Sequence, residues 1–117
     1  MKEIKLPHLA PIKFAKFTLQ KDEKSAKVLL EFEQIPSLPM LVEAAAQSSA
    51  SFRVNDKESA FLVSLKGIKL LQKPTKMTLV AHVRDEHRLE QMRYVGFDIF
   101  EDERECVASG TLVIAVQ

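Results

Sequence analysis

Two hydrophobic periods alternate along the chain. Residues 12–20 and 25–33 are rich in β-branched, aromatic and aliphatic side chains. In the second of these runs Ala26, Val28, Leu30 and Phe32 alternate with Lys27, Leu29, Glu31 and Glu33, the period of two that a strand requires. The polar link 21–24 turns the two runs into a hairpin. Residues 36–52 have a different character. Pro39 suits a first helical turn, where its missing N–H costs nothing, and Ser37 offers a capping oxygen. Ala44, Ala45 and Ala46 follow, with the strongest helix propensity available. This stretch predicts one long helix.

Four more strands are expected after a polar segment, 53–58. The run 60–71 is almost continuously apolar, with a bulge at Lys66-Gly67. Residues 77–84 form the next strand, closed by a charged turn at Asp85-Glu86-His87-Arg88. Residues 91–100 follow, then a second charged turn, Glu101-Asp102-Glu103-Arg104. The last strand is 105–116, with a possible kink at Gly110. The order strand–strand–helix–strand–strand–strand–strand, joined mainly by hairpins, predicts an α+β domain. One long central helix is wrapped by a mainly antiparallel curved sheet of about six strands.

Composition narrows the function. At 117 residues the chain makes one domain, 1–117. A net charge of +1, with both signs mixed along the chain, gives no electrostatic case for nucleic acid or an anionic membrane. No apolar stretch reaches the ~18 residues of a membrane span, and the first residues lack the apolar run of a signal peptide. A cytoplasmic location is expected. The single cysteine, Cys106, excludes an internal disulfide and reads as a small buried hydrophobe. His8, His82 and His87 are too far apart for metal-ligand spacing, so no metal and no cofactor are expected. His82 and His87 read as solvated. Glycine-rich phosphate loops and a Gly-x-Ser-x-Gly elbow are absent.

The chemistry concentrates on the helix. Between Leu38 and Phe52, Glu43 is the only charged residue, and alanines and serines surround it. A surface helix normally carries a broad charged face. Glu43 is therefore either that helix's solvent-facing residue or a carboxylate in an enclosed apolar place, suited there to general acid/base work. Gln47, one turn on, shares its face and could orient Glu43 or a bound ligand. Lys66, Lys69 and Lys73 are candidates for a basic rim, or are simply solvated.

Three segments carry a family resemblance. Leu6-Pro7-His8-Leu9-Ala10-Pro11 resembles the Leu-Pro-His-x-x-Pro entry of bacterial β-hydroxyacyl-acyl carrier protein dehydratases. Glu43-Ala44-Ala45-Ala46-Gln47 resembles their helix signature Glu-Ala-x-Ala-Gln. Residues 61–74 resemble the strand after that helix, with its Lys/Arg-Pro turn. The resemblance implies the hotdog fold and a dimer that joins two sheets into one. It also implies a 3-hydroxyacyl thioester, on acyl carrier protein or coenzyme A, entering a tunnel at the subunit interface. In that family the helix Glu works with a His from the other subunit. Here the equivalent position, fourteen residues before Glu43, is Leu29, so the catalytic His is lacking, and the loop 34–39 has no glycine.

Two enzyme classes follow from the resemblance: dehydratase, or thioesterase, since related hotdog thioesterases use one acidic residue on this helix. Glu43 would be the acid/base, with Gln47, Ser37, Leu38 and Met40 contacting substrate and N–H groups near Leu38 to Met40 facing an oxyanion. A non-catalytic acyl-binding protein is the alternative. So is a partner subunit in a heteromer with another hotdog protein. A homodimer, or a higher oligomer of dimers, is the expected assembly otherwise.

Overall fold

The structure is a computed structural model that describes residues 2–3, 13–52 and 60–116. The segments 6–11, with His8, and 53–58 lie outside the described residues. The elements are β1 (Lys2–Glu3), β2 (Ala15–Lys21), β3 (Ser25–Glu31), α1 (Leu38–Ser48), β4 (Ala60–Leu70), β5 (Thr78–Leu89), β6 (Met92–Asp102) and β7 (Glu105–Val116). All strand pairs are antiparallel, in the order β1-β2-β3-β5-β6-β7-β4. The six expected strands are present, and the two residues of β1 add a short edge.

Register shows which side chains share a face. Val28, Ala81, Ile99 and Ala108 lie opposite one another across four strands and are fully buried. The next row is Ala26, Val83 and Phe97, ending at Gly110. With Leu30 and Leu79 these rows make the face against which α1 packs, through Leu41, Ala44 and Ala45. The small residues of α1 let the sheet approach its backbone. The opposite face carries a polar row from Gln20 through Lys27, His82, Asp98 and Ser109 to Lys69.

Helix α1 begins as its sequence demands. Ser37 is the N-cap, its Oγ accepts from Met40 N at 3.5 Å, and Pro39 sits in the first turn. The α-helix ends at Ser48, and residues Ser49–Phe52 tighten into a 3₁₀ turn. The serines do not line a site. Ser48 Oγ donates to Ala44 O at 2.8 Å, Ser49 Oγ to Ala46 O at 2.6 Å and Ser51 Oγ to Ser48 O at 2.8 Å.

One boundary differs from expectation. The charged run 85–88 is not a turn, because β5 continues to Leu89 and reverses at Glu90, whose φ is +57°. Each charge has a cross-strand or local partner that makes the extended form tenable. Asp85 accepts from Arg88 Nε at 3.0 Å and Nη2 at 2.8 Å, Glu86 lies over Gly96, and His87 packs tilted against Tyr94, ring centroids 5.6 Å apart. The expected bulge at Lys66-Gly67 is present: register shifts between Lys66 and Lys69, and Gly67 has φ +59°.

Candidate functional site

The residues singled out on α1 come together along one stripe. Met40, Glu43 and Gln47 are spaced three and four residues apart, so they line one side of the helix. Glu43 is half-buried and Gln47 is 3% exposed. Gln47 Nε2 donates to Glu43 Oε1 at 3.2 Å. At its other end, Gln47 Oε1 accepts two main-chain hydrogen bonds, from Phe14 N at 2.7 Å and Ala15 N at 3.0 Å. The helix carboxylate is thus tied through one amide to the start of β2. Phe14 in turn packs on Phe32, ring centroids 4.8 Å apart.

The main-chain partners of Gln47 have no sequence signature of their own. The available signal was indirect: an amide in a helix this poor in charge has to find partners once buried. Ser37 and Leu38 lie at the N-terminus of α1. Pro39 has no N–H to offer, Leu41 N is held by Ser37 O at 3.0 Å, and Met40 N has only the 3.5 Å contact with Ser37 Oγ. Met40 N is therefore less firmly held than Leu41 N.

The histidines of the described residues are elsewhere. His82 lies opposite Lys27 and Asp98 on the sheet face away from α1, and His87 pairs with Tyr94. His82 is half-buried against Phe100, centroids 4.6 Å apart, rather than fully solvated. Burial lowers its pKa below the usual value, Lys27 and Arg84 add to that, and Asp98 opposes it. Cys106, expected to be buried, is half-buried opposite Phe100. Its thiol donates to Ala108 O at 3.3 Å, and burial raises its pKa. A groove of about 400 Å³ lies beside the β2–β3 hairpin, lined by Lys21, Lys27, His82 and Arg84 among others. None of the α1 stripe residues lines it.

No group of three or more potential metal ligands occurs among the described residues, and no helix there is long and apolar enough to cross a membrane. Among the described residues, β4 is one of the two edge strands of the sheet, β1 being the other. Phe61 is 55% and Val63 53% exposed, and Leu62, Leu65 and Leu70 are exposed too. Lys66 and Lys69 are exposed on β4, Lys73 lies just beyond it, and Lys66 Nζ sits 5.3 Å from the Tyr94 ring centre.

No protein-family model and no curated protein matches the chain. Solved structures do. The chain is similar to a chain of the dehydratase heterocomplex ApeI:P from Xenorhabdus doucetiae, with TM-score 0.74 and 13% identity, over 96% of this chain and 88% of that one. A hypothetical thioesterase from Streptococcus pneumoniae, solved with coenzyme A, gives TM-score 0.70 and 13% identity over 86% and 84% of the two chains. The PaaI protein of the Escherichia coli phenylacetic acid degradation operon gives 0.69 and 18% over 84% and 80%. At these identities the likeness is one of architecture: one helix against a curved antiparallel sheet in this strand order is the hotdog fold.

Proposed function

We propose that this hotdog chain binds acyl thioesters, carried on coenzyme A or acyl carrier protein, and that Glu43 is its acid/base. The observation that carries the reading is the Glu43–Gln47 pair, a carboxylate held by a buried amide on a helix of otherwise apolar and small residues. The hotdog neighbours, which include a dehydratase complex and a thioesterase solved with coenzyme A, agree with it.

Between the two reactions, the placement of the histidines favours hydrolysis. Dehydration of a 3-hydroxyacyl thioester needs one group to take the α-proton and one to protonate the departing hydroxyl. Neither His82 nor His87 shares a face with Glu43, and Leu29 is flanked on β3 by the buried core residues Val28 and Leu30. Hydrolysis asks less. Glu43 accepts a proton from water as the water oxygen attacks the thioester carbonyl. Met40 N–H, at the positive end of α1, faces the oxyanion near Ser37 and Leu38. Collapse breaks the C–S bond, and Glu43 returns the proton to the thiolate.

Dehydration stays open if a second hotdog subunit supplies the missing acid. The apolar open edge of β4 supports pairing of two such subunits, whether a homodimer or a heteromer.

The test is turnover of a panel of acyl and 3-hydroxyacyl thioesters, on both carriers, by wild type and Glu43→Gln. The expected result is hydrolysis that falls by about 10²–10⁴-fold in the variant. Equal rates in both proteins would remove Glu43 from the chemistry. Ligand binding without any turnover would leave the non-catalytic acyl-binding or partner subunit.

A further inference from the structure

We infer that Gln47 is a positioning residue that lets strand β2 aim the Glu43 carboxylate, rather than a group that touches substrate. The argument is one of hydrogen-bond polarity. An amide oxygen only accepts and an amide nitrogen only donates. The main-chain N–H groups of Phe14 and Ala15 both point at one end of the Gln47 amide, at 2.7 and 3.0 Å, so that end must be oxygen. The flipped amide would set N–H against two N–H groups in a place that is 3% exposed, leaving buried donors unpaired at a cost of about 1–3 kcal/mol each. The nitrogen is thereby fixed on the side of Glu43, where it donates to Oε1 at 3.2 Å.

The position needs an acceptor at one end and a donor at the other, four residues from the carboxylate. Leucine or methionine would strand the two main-chain donors. Glutamate would satisfy them but set a second carboxylate against Glu43. An aliphatic side chain at position 47 would give Glu43 no such hold, whereas here the strand, acting through the amide, fixes one of its two oxygens. The catalytic consequence rests on the reading of Glu43 as the acid/base; the hydrogen-bond arrangement does not.

Gln47→Glu separates the two ends of the amide. It keeps an acceptor for Phe14 and Ala15 and replaces the neutral amide donor with a second carboxyl, which repels Glu43 or shares a proton with it. The expected result is main-chain hydrogen exchange at Phe14 and Ala15 as slow as in wild type. Thioester kcat should fall about 100-fold, the scale of a misaligned catalytic group, with KM little changed. Exchange preserved with kcat unaltered would overturn the inference.

A second measurement decides the matter if wild type turns over no thioester or if Gln47→Glu does not fold. In the wild-type NMR spectrum the Gln47 side-chain NH₂ protons should exchange slowly, and their signals should move on Glu43→Ala while the Phe14 and Ala15 amides stay protected. Fast exchange that Glu43→Ala leaves unmoved would refute the positioning role, whatever the reaction proves to be.

Discussion

At the scale of single residues, the two faces of the sheet treat ionisable groups differently. On the helix side, Glu43 is bound to an amide whose orientation the main chain dictates. On the other side, charges meet charges. Arg84 Nη1 lies 2.6 Å from Asp98 Oδ2 and Arg84 Nε 3.6 Å from Glu86 Oε2, with all three side chains partly exposed. Such pairs are worth little in stability, ~0–1 kcal/mol. Their effect is seen in His82, which has Lys27 on β3, Arg84 on its own strand and Asp98 on β6 around it. Burial and the two cations hold His82 below the usual histidine value. The unfolded chain then binds a proton more readily than the fold, so this residue's contribution is present above the unfolded pKa of about 6.5 and is lost as pH falls through the folded value. Lys27→Met removes one of the depressing charges and leaves burial in place. The His82 pKa, read from its imidazole proton shift, should rise toward 6.5, and the acid loss of stability from this residue should shrink. A value that stays put or drops would show that Lys27 does not act on His82.

At the scale of elements, two glycines of β4 and β7 do unlike things. Gly67 takes the positive φ of the β4 bulge, and nothing lies within 4 Å of where a Cβ would be. Gly110 makes room: a Cβ there would stand 2.3 Å from Ile68 Cδ1 and 3.2 Å from both Ile68 Cα and Phe97 Cε1. Both alanine substitutions should destabilise, Gly67→Ala by about 1–2 kcal/mol through strain and Gly110→Ala by about 1–3 kcal/mol through crowding. Only the second should be relieved by Ile68→Val, which deletes the crowding methyl. The double variant should then cost less than the sum of its singles in urea unfolding, and strict additivity would show that Ile68 is not the obstacle.

These elements also mark how far the sequence could be read. The period of two in β3, the Ser37 cap with Pro39, and the Lys66-Gly67 bulge are local signals, and they placed the hairpin, the helix and the bulged strand. The outer half of β5 was not legible, because Asp85, Glu86, His87 and Arg88 read as a turn until their partners across the sheet are known. The same limit applied to the site. Glu43 and Gln47 announce a common face through their spacing, but the Phe14 and Ala15 N–H groups that orient the amide belong to a strand more than thirty residues away and have no side-chain signature.

At the scale of the whole molecule, the sheet has an edge that a soluble monomer would normally blunt. Edges usually carry charge, proline or a covering element. Residues Phe61, Leu62, Val63 and Leu65 do the opposite, and the lysines of β4, Lys66 and Lys69, lie at and beyond its bulge. The apolar part also continues the core. Leu65 is in register with Leu112 and Leu62 with Ile114, both buried, so the core face runs out to β4 and stops uncovered. Pairing of this edge with that of another subunit would cover the apolar side chains and satisfy the free main-chain groups together. The wild-type chain should therefore sediment as a dimer, with an interface of at least about 1,000 Å². Val63→Lys sets a charge in the middle of the apolar stretch, and like charges would face each other across a two-fold axis. It should weaken the dimer by at least ~10-fold, a penalty of about 1.4 kcal/mol, and shift sedimentation toward monomer. Because Val63 is remote in sequence from the α1 stripe, thioester turnover lost in step with the dimer would place the second subunit in the working site. Turnover retained by the monomer would confine the chemistry to one chain, and a wild type that stays monomeric at every concentration would remove β4 as a self-association edge.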